Sequence, residues 1–96
     1  MAVTVDSGGT PIIISGTTAT DDEVMAEKII VFIKFIRWYN PTTIGHLCTL
    51  TDGNSREIIT MRADKANHTQ IWPIYTQFHG IRCTDLDSGS VQIFIP

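Results

Sequence analysis

Two residues near the middle of the chain have the types and spacing of a nucleophile and its base. His46 and Cys48 are two positions apart, and residues at that spacing on a strand lie on the same face. A thiolate beside a histidine becomes a catalytic nucleophile only in an activating environment, and His79 is an alternative base. Ordinary side-by-side packing is the simpler interpretation. We therefore predict no catalytic residue and no enzyme activity.

The potential metal ligands are scattered along the chain. His46, His68 and His79 are far apart, and none has the spacing of a metal-binding helix motif. The acidic run Asp21 to Glu23 lacks the alternating ligands and the glycine of a calcium loop. We interpret this run as a solvated loop, and we predict neither a metal site nor a cofactor.

Trp72 and Tyr75 suggest a different kind of site. Aromatic rings close together in sequence can form a platform on which a sugar ring stacks, although such rings also dominate the cores of small domains. Core packing is the preferred interpretation of the two rings. A receptor- or carbohydrate-binding β-module that uses Trp72 and Tyr75 remains the alternative function.

Length and charge exclude several classes of protein. A chain of 96 residues has room for one hydrophobic core, which predicts a single domain. The net charge of −3, with 7 Lys and Arg residues, gives no electrostatic footprint for a nucleic acid. The longest apolar run, Ile29 to Ile33, is far shorter than the roughly 20 residues of a membrane span. The N-terminal sequence lacks the pattern of a secretory signal, so we expect synthesis in the cytoplasm and no membrane partner.

Cys48 and Cys83 belong to no metal-binding or redox pair. In a reducing compartment such cysteines are usually buried and behave as small apolar side chains. We predict that both are buried. A disulfide between facing strands stays open, because only the distance between their Cα atoms decides it.

The first half of the chain predicts an arm and two strands. Residues 1–9 are rich in Val, Thr, Ser and Gly without a clear periodicity, and they predict an extended N-terminal arm, followed by a single domain over residues 10–96. The β-branched run after Pro11 predicts an edge strand. Lys28 to Tyr39 predicts a long strand that is apolar on both faces. Such a strand either lies between two layers or presents one face to a neighbouring molecule, and that face is the leading interface candidate. The predicted interface residues are Ile12, Ile13, Ile14, Phe32, Phe35, Trp38 and Tyr39.

The second half predicts two hairpins. The first joins His46–Thr51 to Glu57–Arg62 through a turn at Gly53, and the second joins Gly80–Leu86 to Val91–Ile95 through a turn at Gly89. Between them, Pro73 argues against a central strand. Short strands at turn-marked intervals predict an all-β fold, a compact antiparallel β-sandwich or jelly-roll-like barrel.

Several of these sequence segments resemble segments of a known class of proteins. Pro41 to His46, the turn Asp52-Gly53-Asn54, and Gly80-Ile81 with Leu86 to Gly89 resemble small virion structural proteins of tailed bacteriophages, of the head decoration or cement type. The resemblance covers residues 28–96. It implies a β-sandwich protein on the capsid surface that binds the major capsid protein and its own copies, as a trimer. A tail component is the alternative.

Overall fold

A computed structural model describes residues 3–6, 11–17, 22–54 and 56–96. These residues form one antiparallel sheet with the order β1-β2-β7-β3-β6-β4-β5, curled into a half-barrel. The predicted all-β class is confirmed. The described ranges contain no helix long and apolar enough to cross a membrane. The strands are β1 (Val3–Asp6), β2 (Ile12–Gly16), β3 (Asp22–Tyr39), β4 (Leu47–Thr51), β5 (Glu57–Arg62), β6 (Gln70–Leu86) and β7 (Ser90–Phe94).

The two longest strands, β3 and β6, pair with each other along most of their length and form a ribbon. β-Branched and aromatic residues, which suit a pleated sheet, fill the middle of β3. β3 begins at Asp22, earlier than the predicted Lys28, and β6 continues through Pro73. Proline is tolerated there because β4 pairs with β6 only over residues 82–86, so Pro73 does not have to donate a hydrogen bond to a second neighbour.

A glycine allows the ribbon to bulge. The pairing jumps from Met25 opposite Ile81 to Ile30 opposite His79, so β3 carries extra residues at this point. Gly80 lies opposite the bulge with a φ of 77°, and a Cβ atom there would come within 2.8 Å of backbone atoms of β3. Only glycine combines this conformation with this close approach.

The first predicted hairpin is confirmed, and the second is wrong. β4 and β5 pair around the turn at Gly53. β7 pairs with β2 and β3 instead of β6, so the chain crosses the end of β3 between β6 and β7. Gly89, at the crossing, lies so near the Tyr39 carbonyl that a Cβ atom would overlap it. The turn residues mark the end of β6 and the start of β7, but both strands run antiparallel to β3, which lies between them, so the chain does not form a hairpin there.

The N-terminal residues contribute a strand to the sheet. Residues 3–6 of the predicted arm form β1 and pair with β2. β2 therefore lies between β1 and β7, and the prediction that it is an edge strand is wrong. The edges are β1 and β5. The remaining residues of the predicted arm lie outside the described residues.

Two rows of paired side chains cross the sheet and form the centre of the core. One row joins Ile12, Ile93, Ile36 and Trp72, and the other joins Ile14, Val91, Trp38 and Gln70. Paired residues share a face of the sheet, and we call this one the inner face. The isoleucines, Val91 and Trp38 are buried. Cys48 and Cys83 are buried as well, as predicted.

Candidate functional site

The opposite, outer face of the sheet carries apolar side chains that meet solvent. One row across it joins Ile13, Gln92, Arg37 and Ile71, and Ile71 is 60% exposed. Beside this row, the rings of Phe35 and Phe94 stack with their centroids 4.3 Å apart. We call the apolar members of this face, together with the exposed Ile30 and Phe32 farther along β3, the outer patch. The outer patch comprises Ile13, Ile30, Phe32, Phe35, Tyr39, Ile71 and Phe94.

The structure divides the predicted interface residues between the two faces. Ile13, Phe32, Phe35 and Tyr39 belong to the outer patch, whereas Ile12, Ile14 and Trp38 are buried on the inner face. Successive residues of a strand point to opposite sides of a sheet, so one apolar run supplies both the core and the surface. The three buried residues serve the core of this chain and are not accessible to a partner.

The middle of the ribbon has little lateral cover. β7 pairs with β3 only over residues 35–39, and β4 pairs with β6 only over residues 82–86. Within the described ranges, Ile30–Ile33 and Thr76–His79 therefore have no strand partner besides each other, although the His79 carbonyl accepts a hydrogen bond from the Gly53 N–H at 2.7 Å. The outward backbone groups of Ile30–Ile33 and Thr76–Phe78 offer hydrogen-bonding edges where an additional strand can pair.

Tyr75 lies at a second irregularity of the ribbon. The pairing shifts between Ile33 opposite Thr76 and Phe35 opposite Pro73, so β6 contributes one extra residue there. Tyr75 has a φ of 49°, a left-handed conformation that is unfavourable for a bulky residue, and its side chain is 61% exposed. Strained backbone of this kind often occurs at binding sites. The sequence does not reveal this strain, because no glycine marks the position.

A groove lies where β5 ends and β6 begins. It has a volume of about 330 Å³ and contains Trp72, which is 48% exposed. Tyr75, the other residue of the predicted sugar platform, does not line it. A second hollow of about the same volume shares Arg62 and Asp64 with the groove and is also lined by exposed Ile44. The groove is lined by Arg62, Asp64, His68, Thr69, Gln70, Ile71 and Trp72.

The amide of Gln70 fixes the orientation of the Trp72 ring. The indole N–H of Trp72 donates to Gln70 Oε1 at 3.3 Å, and Gln70 Nε2 donates to the Arg62 carbonyl at 2.9 Å. The amide thus connects the ring to the end of β5. Because Pro73 follows with a fixed φ, the backbone beside the ring is also restricted.

Two loops are tied together by a cluster that we call the loop clamp, formed by Thr42, His46, Leu47, Asp87 and Ser88. The Ser88 hydroxyl oxygen accepts a hydrogen bond from the Thr42 N–H at 2.9 Å. The Ser88 hydroxyl also forms a hydrogen bond with His46 Nδ1 at 2.7 Å. The Leu47 N–H donates to Asp87 Oδ2 at 2.8 Å. The clamp attaches the β6–β7 crossing to the β3–β4 loop.

A carboxyl pair adjoins the loop clamp. Burial raises the pKa of Asp85 to about 6, and the neighbouring Asp87 carboxylate adds to this effect. The hydrogen bond from the Leu47 N–H holds the pKa of Asp87 below its usual value. Asp85 therefore keeps its proton as the pH rises to about 6. Its O–H donates to the Asp87 carboxylate.

The geometry does not assemble the nucleophile that the sequence raised as an option. Burial raises the pKa of the Cys48 thiol well above its usual value, with Cys83 and two carboxylates adding to the effect. A neutral buried thiol is a poor nucleophile. His46 contacts Ser88, and the Ser88 oxygen is already engaged by a backbone N–H. Their common role is to hold two loops together.

The described residues contain no group of three or more His, Cys, Asp or Glu side chains that could hold a metal ion. Comparisons with known proteins found no matching family model, no matching curated protein and no matching solved structure. The surfaces of the described residues that can contact another molecule include the outer patch, the uncovered middle of the ribbon, and the groove at Trp72.

Proposed function

We propose that this chain is a non-enzymatic bacteriophage capsid decoration protein, which binds the major capsid protein and stabilises the head. The observation that carries the proposal is the outer patch, a set of apolar side chains that meet solvent although the chain buries a separate apolar core. Contiguous exposed apolar surface is typical of protein-binding sites. The resemblance of residues 28–96 to phage decoration proteins supplies the kind of partner.

The uncovered ribbon supports the same role. An apolar patch beside free strand edges offers two modes of attachment at one place, side-chain packing and backbone pairing. The open edges also allow contact between copies of this chain, in keeping with the trimer that the resemblance implies. The proposed location is the outer surface of the virion head.

Co-sedimentation with head shells assembled from the major capsid protein of the same virion tests the proposal. The unaltered chain is expected to sediment with the shells. Phe32→Glu and Ile71→Glu should each reduce its affinity by about tenfold or more, because each places a charge within the patch. Ala66→Glu adds the same charge to an exposed loop between β5 and β6 and should leave binding unchanged.

Thermal unfolding of each variant, measured in parallel, separates lost binding from lost folding. Analytical ultracentrifugation of the chain alone tests self-association. A folded chain that remains monomeric and does not sediment with the shells overturns the proposal.

A further inference from the structure

The groove at Trp72 adjoins the outer patch and shares Ile71 with it. Trp72 pairs with Ile36 and therefore lies on the inner face, at the end of a row whose other members are buried. Ile71, its neighbour, belongs to the outer patch and borders the groove from the other side. The Trp72 indole is open to solvent on one side, so a ligand can contact it without any change in the sheet.

We propose that this groove binds a neutral carbohydrate, with one pyranose ring stacked on Trp72. The hydrogen bond to Gln70 holds the indole in one orientation before any ligand arrives, so binding does not have to order the ring. A pyranose has an apolar face of C–H groups that covers aromatic surface well. The volume of about 330 Å³ is at the lower end of the roughly 300–1,000 Å³ range of ligand sites.

The polar side chains around the ring fit hydroxyl groups. Arg62 provides donors only, ionised Asp64 provides acceptors only, and His68 provides either. A sugar hydroxyl both donates and accepts, so neighbouring hydroxyls can use all three side chains. An anionic ligand would meet the carboxylate of Asp64, and a cationic ligand would meet Arg62. A neutral polyol is the class that avoids both conflicts.

The second hollow sets the expected size of the ligand. It adjoins the groove, because Arg62 and Asp64 line both, and exposed Ile44 provides apolar surface on its far side. Two adjoining hollows with polar side chains between them fit a chain of at least two sugars. We therefore infer that the ligand is an oligosaccharide and that a monosaccharide binds more weakly.

Screening on an array of neutral oligosaccharides, followed by titration with the strongest binder, tests this inference. Trp72→Ala should lower the affinity by at least about tenfold. Asp64→Ala should lower it by a comparable factor, because it removes a charged acceptor. Tyr75→Ala is the matched control, since it removes an exposed aromatic side chain of the same strand outside the groove, and it should leave the affinity unchanged.

Tryptophan fluorescence gives an independent readout. The chain has two tryptophans, and Trp38 is buried with its N–H bonded to the Ser88 carbonyl at 2.8 Å. Only the emission of Trp72 should respond to the sugar, so Trp72→Ala should abolish the response while the emission of Trp38 shows that the core is intact. Phe32→Glu, which alters the outer patch, should bind the sugar normally even if capsid binding fails.

Three results overturn the inference: no saturable binding by any array member, a sugar response that persists in Trp72→Ala, or a single-stranded oligonucleotide that binds more tightly than every sugar. An oligonucleotide is the relevant competitor because bases also stack on indole rings.

Discussion

The inner and outer faces of the sheet are made from the same strands and from similar residues, but their surroundings are opposite. Ile12 and Ile14 are buried, and Ile13 between them lies on the outer face. The same alternation separates Ile36 from Arg37 on β3. The difference teaches that residue type does not distinguish the core from the exposed surface in this chain. Position along the strand does.

The largest expected difference in the free energy of unfolding is between substitutions of one isoleucine from each face. Ile36→Ala should lower the free energy of unfolding by about 3–4 kcal/mol, because it leaves a cavity in a fully buried site. Ile71→Ala should change it by less than about 0.5 kcal/mol, since this side chain is mostly in solvent. Urea denaturation of both variants measures the difference. Equal losses would mean that the outer face is covered in solution.

The two tryptophans sharpen the comparison within the inner face. Trp38→Phe should lower the free energy of unfolding by about 2 kcal/mol, because it leaves the Ser88 carbonyl without its indole donor and reduces packing. Trp72→Phe, at the open end of a neighbouring row, should have an effect within about 0.5 kcal/mol. Thermal unfolding monitored by circular dichroism separates these outcomes. A large loss in Trp72→Phe would contradict its assignment to the groove.

The smallest effect concerns the carboxyl pair beside the loop clamp and depends on pH. The pKa of Asp85 is raised in the folded state, so this group favours folding most strongly when protonated, and its contribution declines as the pH rises through about 6. Asp85→Asn keeps a donor toward Asp87 without the charge. It should therefore raise the free energy of unfolding by about 1 kcal/mol at about pH 7.5 and hardly change it at about pH 4.

Denaturation at both pH values checks this sign. A variant that is less stable than the parent at about pH 7.5 would show that the ionised Asp85 is favourable in the folded chain, against the expected penalty. Asp87 has the opposite behaviour. Its pKa is lowered, so its contribution is present above its ordinary pKa and is lost as the pH falls.

The sequence predicted the local parts of this fold well. The hairpin at Gly53 was predictable because its strands adjoin in sequence and its turn residues mark the reversal. The apolar run after Lys28 predicted a strand because β-branched and aromatic residues dominate it. In both cases the decisive information lies within a few residues.

The pairing of distant strands was not predictable in the same way. The turn residues at Gly89 show where one strand ends and the next begins, but not that β3 lies between the two strands. The loop clamp was missed for a related reason, since Asp87 and Ser88 had been interpreted as turn residues only. Their partners come from a loop far away in sequence, and no local pattern connects the two.

The candidate site was predicted in part. Four of the interface residues lie in the outer patch, but an apolar run could not show which alternate set meets solvent. The preferred interpretation of Trp72 and Tyr75 as core residues is wrong, because their side chains are 48% and 61% exposed. The groove at Trp72 depends on residues from the end of β5 and the following loop. The sequence indicated candidate side chains, and the fold determined which of them lie together.

The position of β7 has a consequence for the order of folding. β1 and β2 join the rest of the described sheet only through β7, which is synthesised after all the other described strands. The strands at the start of the chain therefore have no place to dock until residues 90–94 have emerged from the ribosome. Folding must close a loop that spans nearly the whole chain, which favours slow, late assembly. Until then the apolar residues of β2 stay exposed, and the nascent chain is most vulnerable to aggregation before its last strand arrives.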